Sequence, residues 1–260
     1  MKQSLTIIKV GGKIVEEPAT LSRLLEDFSA LPGLKILVHG GGRSATAVAA
    51  RLGVETRMVD GRRVTDAEML RVVTMVYGGL VNKTIVAGLQ AHGVNALGVT
   101  GADMNLLLSD RRPVKDVDYG FVGDVKSVNT LGFRGLLGMG VVPVIAPLTH
   151  DGHGSMLNTN ADTMAGETAK ALSVDYDVTL IYCFERPGVL KDETDDDSVI
   201  GSITPAVYDW LKDEGIVSGG MIPKLDNAFA ALAGGVKKVV ITCASAIADP
   251  DAGTAVTVAN

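Results

Sequence analysis

Hydrophobic positions along the chain fall into short runs that alternate with helical spacings almost throughout. Aliphatic and β-branched runs at Thr6–Val10, Lys35–His39, Val94–Val99, Val141–Ala146, Asp177–Cys183 and Lys238–Thr242 predict buried strands. Between them, apolar residues recur with helical period over Leu21–Leu31, Ser44–Leu52, Ala161–Leu172, Pro205–Asp213 and Lys224–Ala233. Ala67–His92 carries the same signature, with a break expected at Gly78-Gly79. Leu106–Val125 is mixed and polar, which predicts a hairpin passing over the surface. Strands alternating with helices predict an α/β three-layer sandwich, an open, mostly parallel sheet with helices on both faces. The 260 residues are read as one domain of two lobes sharing that sheet, 1–173 and 174–260.

Composition narrows the choice. Hydrophobic residues make up 47% of the chain but aromatics only 4%, so the core must be aliphatic. The net charge of −6 comes without any basic run, which argues against a nucleic-acid partner. Cys183 and Cys243, far apart in sequence and in apolar contexts, read as two buried thiols of a reducing compartment. The apolar stretch near the start is too short for a signal-peptide core, and no uninterrupted run reaches the roughly 18 apolar residues of a membrane span. A cytoplasmic protein with no membrane partner is expected. The acidic run Asp192–Asp197 reads as a solvated loop.

Candidate chemistry gathers where strands end. Lys9-Val10-Gly11-Gly12 places a cation beside backbone N–H groups that an anion can approach closely. His39-Gly40-Gly41-Gly42 joins a strand to a helix start, where N–H groups and the helix dipole favour an oxyanion. His39 itself reads as a core histidine. Gly40-x-Gly42-x-x-Ala45, with Asp60 about 20 residues on, also satisfies the dinucleotide fingerprint, so an NAD-dependent oxidoreductase is one competing reading. Asn158-Thr159-Asn160-Ala161-Asp162 opens a helix, with Asn160 suited to the N-cap and Asp162 to the first turn. In Gly219-Gly220-Met221-Ile222-Pro223-Lys224 a lysine stands in the first turn of a helix, the wrong end for the dipole, which points to function. No P-loop motif occurs, and none of the histidines has metal-ligand spacing; His150 and His153 read as surface residues.

Taken in order, these motifs resemble the amino acid kinase family, and within it the acetylglutamate kinases, from Lys9 to about Ile241. Asp60-Gly61-Arg62-Arg63-Val64-Thr65-Asp66 is similar to their substrate-binding segment, and Tyr119–Val125 to their central hairpin. The resemblance implies transfer of the γ-phosphoryl of ATP to the side-chain carboxylate of an N-acyl-L-glutamate, an early step of arginine biosynthesis. N-acetyl is the expected acyl group, with N-succinyl admissible. Lys9 and Lys224 would flank the transferring group, Asp162 would hold them, and Gly12 would offer its N–H. Gly41, Gly42, Arg63 and Asn158 would bind the acyl amino acid in the first lobe. Gly11, Glu185, Gly188, Leu190, Val217 and Ser218 would serve the nucleotide in the second, with Mg2+ carried by ATP.

Three departures from the family pattern stand out. Glu185-Arg186-Pro187-Gly188 replaces an aspartate-valine-x-glycine segment, Thr242–Thr254 is short, and Lys9 lies very near the start of the sequence. The last feature leads us to expect a homodimer without an arginine-binding N-terminal helix. A kinase for another carboxylate and a nucleotide sensor without turnover remain alternatives on sequence grounds.

Overall fold

The computed structural model describes residues 2–249 and 251–258. Its centre is an eight-stranded sheet in the order Ser202–Ile203, Thr254–Val256, Lys238–Cys243, Tyr176–Phe184, Gln3–Val10, Leu34–His39, Val142–Ile145 and Ala96–Val99. Every neighbouring pair is parallel except Lys238–Cys243 with Thr254–Val256. The central strands are near-continuous aliphatic runs because both faces are covered. One face packs Leu5, Ile7, Ile36 and Val38 against the helices Ala161–Leu172 and Met221–Ala233. The other packs Ile8, Val10 and Leu37 against Pro18–Ala30 and Gly42–Arg51. Alternate residues of one strand thus feed two cores, the period-2 geometry of a pleated sheet.

Pro18 opens the helix Pro18–Ala30, where its missing N–H costs nothing. The other end is closed by a side chain. Nζ of the buried Lys35 donates to the carbonyls of Phe28, Ser29 and Leu31 at the C-terminal end, where the helix's own N–H groups run out. Asn160 caps Ala161–Leu172 by accepting from Thr163 N at 3.0 Å, and Thr204 caps Pro205–Asp213 in the same way.

The run Ala67–Ala91 departs from expectation. It does not break at Gly78-Gly79 but continues as one helix through a π-segment, Thr74–Val81. Its length and mean hydropathy match those of a membrane span, although charged and polar residues interrupt its apolar runs. Here Val72, Val73, Val76, Val81, Ile85 and Leu89 are buried in the second core, as in a core helix. The expected hairpin is present as Leu107–Arg111 and Gly123–Val128, antiparallel in a separate four-stranded sheet with Leu148–His150 and Met156–Asn158. Thr130–Gly138, unread in the sequence, is a further helix. Cys183 is buried, but Cys243 is half-exposed, which corrects the reading of both as core thiols.

Candidate active site

Four adjacent strands, Lys238–Cys243, Tyr176–Phe184, Gln3–Val10 and Leu34–His39, end side by side. Ligands in open α/β sheets bind beyond such carboxyl ends. The loops that leave the two strands from the first 40 residues lie against each other. Gly40 N donates to Val10 O at 3.0 Å, and a Cβ on Gly40 would stand 3.1 Å from Gly12 N. A side chain on Gly40 would press on the backbone of the facing loop, which would have to give by a few tenths of an ångström, so the close approach favours glycine there.

The cations expected from the sequence meet here. Lys9 Nζ lies 2.7 Å from Asp162 Oδ1, and both side chains are largely withdrawn from solvent. Lys224, in the first turn of Met221–Ala233, brings its Nζ 3.8 Å from the centre of the Phe184 ring; Lys9 Nζ lies 4.6 Å from the same centre. Burial lowers the Lys224 pKa below the ordinary lysine value; the nearby Asp162 carboxylate pulls it back up, and Lys9 pushes it down.

Three cavities that share lining residues lie around this point. One of about 190 Å³ is lined by Gly40, Gly41, Gly42, Arg63, Tyr77 and Asn158, among others. A second, about 470 Å³, holds Lys9, Gly11, Gly12, Asp162, Glu185 and Lys224. A third, about 250 Å³, is walled by Gly188, Leu190, Val217 and Ser218. Gly42 borders the first and second, and Gly188 the second and third. Every site residue expected from the sequence therefore lines one of these three cavities.

Arg63 is buried at the floor of the first cavity. Its Nη2 donates to Gly42 O at 2.7 Å and to Thr46 Oγ1 at 2.9 Å. Asn158 Nδ2 donates to Thr65 Oγ1 at 2.9 Å, and the segment 119–122 threads between the two, with Phe121 N donating to Thr65 O and Asn158 N to Phe121 O. Glu185 faces two cations, Lys13 Nζ at 2.6 Å and Arg43 at 3.9 Å. Lys13, Arg43 and Tyr77 are site residues that sequence reasoning missed. The signal for Lys13 and Arg43 was present, since each is a basic residue directly after a glycine pair; Tyr77 carries no local signature.

His39 is a core residue, as expected. Its Nδ1–H donates to Gly40 O at 2.7 Å, which leaves Nε2 to accept from Asn82 Nδ2 at 3.1 Å. Burial pushes its pKa down from 6.5 to about 4, so the ring is neutral at pH 7. His150 Nε2–H donates to Asn105 Oδ1 at 2.7 Å at the surface. Asp60 sits in the turn between Met58–Val59 and Arg62–Arg63 and lines a separate cavity with Arg112 and Tyr119. It does not line the three cavities in which the glycine loops lie, and the dinucleotide reading loses its acidic partner.

The sequence profile of the amino acid kinase family matches residues 4–243. The chain belongs to the amino acid kinase family. An acetylglutamate kinase of Phocaeicola vulgatus is 69% identical over 247 residues, 95% of this chain and 96% of the relative. Among solved structures, a protein of Streptococcus mutans UA159 superposes with a TM-score of 0.80 at 28% identity, covering 97% of this chain and 98% of its own. A carbamate kinase of Giardia lamblia bound to AMP-PNP shares the fold, with a TM-score of 0.72 at 14% identity over 99% of both chains. Within the family, the chain groups with the acetylglutamate kinases, and kinase relatives imply the use of ATP.

Proposed function

We propose that the chain phosphorylates the side-chain carboxylate of an N-acyl-L-glutamate, N-acetyl-L-glutamate foremost, with ATP, as an early step of arginine biosynthesis in the cytoplasm. The observation that carries this reading is the gathering of Lys9, Lys224, Asp162 and Gly11-Gly12 around one cavity, next to a smaller one that shares Gly42 with it and is lined by Arg63 and Asn158. The small cavity offers Arg63, whose planar fork suits the α-carboxylate, and Asn158 for the same end of the substrate. The larger cavity and its extension past Gly188, Leu190, Val217 and Ser218 suit a nucleotide, with Gly11 and Glu185 near its phosphates.

In this arrangement a carboxylate oxygen of the acceptor bonds to the γ-phosphorus as the bond to the ADP oxygen breaks, giving an acyl phosphate. The acceptor is already an anion, so no proton needs removal and no general base is required. Catalysis then rests on positioning and on neutralising charge. Lys9, held by Asp162, faces the acceptor side and Lys224 the departing ADP, while the Gly12, Gly41 and Gly42 amides offer donors to the charge that develops between them. Among the described residues no cluster of acidic, histidine or cysteine side chains is built to hold a metal. Asp162 is engaged by Lys9, so Mg2+ would arrive on the phosphates of ATP and neutralise their charge. The lobe 1–173 serves the acyl amino acid and 174–260 the nucleotide.

We also propose a homodimer of this chain. The helix Ala67–Ala91 leaves Met75 and Leu80 more than half exposed beside the edge strand Ala96–Val99. Sedimentation of Leu80→Asp at half the wild-type mass would support this interface; an unchanged monomeric mass for wild type would remove it.

The decisive assay traps acyl phosphate with hydroxylamine in the presence of ATP and Mg2+. N-acetylglutamate, N-succinylglutamate, glutamate and aspartate are compared. Turnover confined to N-acylglutamates is expected, and ATP binding without any turnover would overturn the reading.

A further inference from the structure

The mechanism above needs two ammonium groups close together, and among the described residues only one carboxylate, Asp162, stands within ion-pair distance of either. Among the described residues Lys224 has no hydrogen-bond or ion-pair partner; its ammonium rests against the face of Phe184 at 3.8 Å, while Lys9 sits 4.6 Å from the same ring centre. An aromatic face carries the negative part of the ring quadrupole and attracts cations, most strongly where water is excluded.

The ring is itself fixed. Phe184 stacks on Tyr182, two residues earlier on the same strand, with centroids 6.2 Å apart and planes within 8° of parallel. Tyr182 is fully buried, and its hydroxyl donates to the backbone carbonyl of Asp162 at 3.3 Å. The stack therefore ties the ring to the helix start that carries the acid.

We propose that Phe184 is a positioning residue for phosphoryl transfer, its ring face holding Lys9 and Lys224 in place before the phosphates arrive. This rests on the kinase reading of the site and adds to it the group that seats the second lysine. Preorganised charge costs no rearrangement at the moment of reaction, which is how such a seat would raise the rate.

The test replaces Phe184 with 4-fluoro-, 3,5-difluoro- and 3,4,5-trifluorophenylalanine. These rings keep nearly the same shape while the negative charge of the face drains away. Two quantities are read from each protein: kcat/KM for ATP in the hydroxylamine assay, and the titration of Lys224 by NMR of ε-carbon-labelled lysine without substrates. Asp162, Lys9 and Glu185 are the other charges that bear on this titration, and all are unchanged in the series. We expect log kcat/KM to fall in step with fluorine count, to roughly tenfold in the trifluoro protein. The Lys224 midpoint should fall in step as well, and KM for the acyl amino acid should stay constant.

A flat series in both readouts overturns the proposal, and a loss in Phe184→Leu alone would then mark the ring as packing. If the wild type turned over no substrate, the kinase reading would fail. The lysine titration would still decide whether the ring holds the cation.

Discussion

Arg63 Nη2 donates to the carbonyl of Gly42 at 2.7 Å, so the guanidinium placed to bind substrate also tethers the loop between the two cavities. Loss of this side chain removes an anchor and frees the loop together. Arg63→Ala should therefore raise KM for the acyl amino acid and also lower kcat, where a pure anchor would change KM alone. Arg63→Lys should restore little, because a single ammonium nitrogen cannot keep the Nη2 contacts to Gly42 and Thr46 together with the Nη1 contact to Thr56. Steady-state kinetics of the two variants separate the possibilities. An unchanged kcat in Arg63→Ala would show that the tether does not matter to the chemistry.

Lys9→Ala and Lys224→Ala should each reduce kcat on the order of 10²–10³, the scale of losing one preorganised donor. Near-normal turnover in both would remove the proposed mechanism.

Lys224 should also set the alkaline edge of activity. Its pKa is lowered, chiefly by burial, so the charged form is lost at lower pH than for an ordinary lysine. Activity should be full below that folded-state pKa and fall as pH rises through it. Lys224→Arg, whose side chain stays charged, should move the edge upward even if its maximum rate is lower. A pH–rate profile with the same alkaline edge in both proteins would assign that edge to another group.

The fold's response to acid should report His39. Its pKa falls from 6.5 to about 4 on burial, so the neutral ring's contribution is complete above pH 6.5 and lost as pH drops toward 4. The shift corresponds to about 3 kcal/mol at most. Urea midpoints at pH 7 and pH 4.5 should therefore differ less in His39→Gln than in the wild type. An equal difference in the two proteins would show that other groups dominate acid unfolding.

Gly120 adopts φ +72°, and a Cβ there would run into the carbonyl oxygen of Thr65. Gly120→Ala should cost about 1–3 kcal/mol and push the hairpin away from the strand that ends in Arg63. A thermal melt should show the loss, and a raised KM for the acyl amino acid should accompany it.

What the sequence disclosed and what it hid have separate physical causes. The helices Ala161–Leu172 and Pro205–Asp213 were legible to the residue, because Asn160 and Thr204 cap them and their apolar faces repeat cleanly. Lys9, Asp162 and Lys224 were legible because charge beside glycine at a strand end, or at the wrong end of a helix, has few structural uses. Thr130–Gly138 was hidden by three glycines that signal breaks; Gly132 is there because a Cβ would come within 2.9 Å of Leu106. The contacts of Phe184 with the two lysines were hidden because they lie at positions 9 and 224, and no local pattern records contacts so far apart in the chain.

The π-segment Thr74–Val81 has a consequence for how this enzyme tolerates change in length. A π-turn fits one more residue into a helix than the α-helical pitch allows, and so shifts the rotational phase of everything that follows. Before it, Met69 and Val72 face the core; on it, Tyr77 lies against Gly41; just after it, Asn82 reaches His39. Removing one residue between Thr74 and Val81 would let the helix close to α pitch with Asn82 still turned toward His39, whereas adding one would turn Asn82 by about 100° away from the histidine it meets. This stretch should accept the loss of a single residue far more readily than the gain of one.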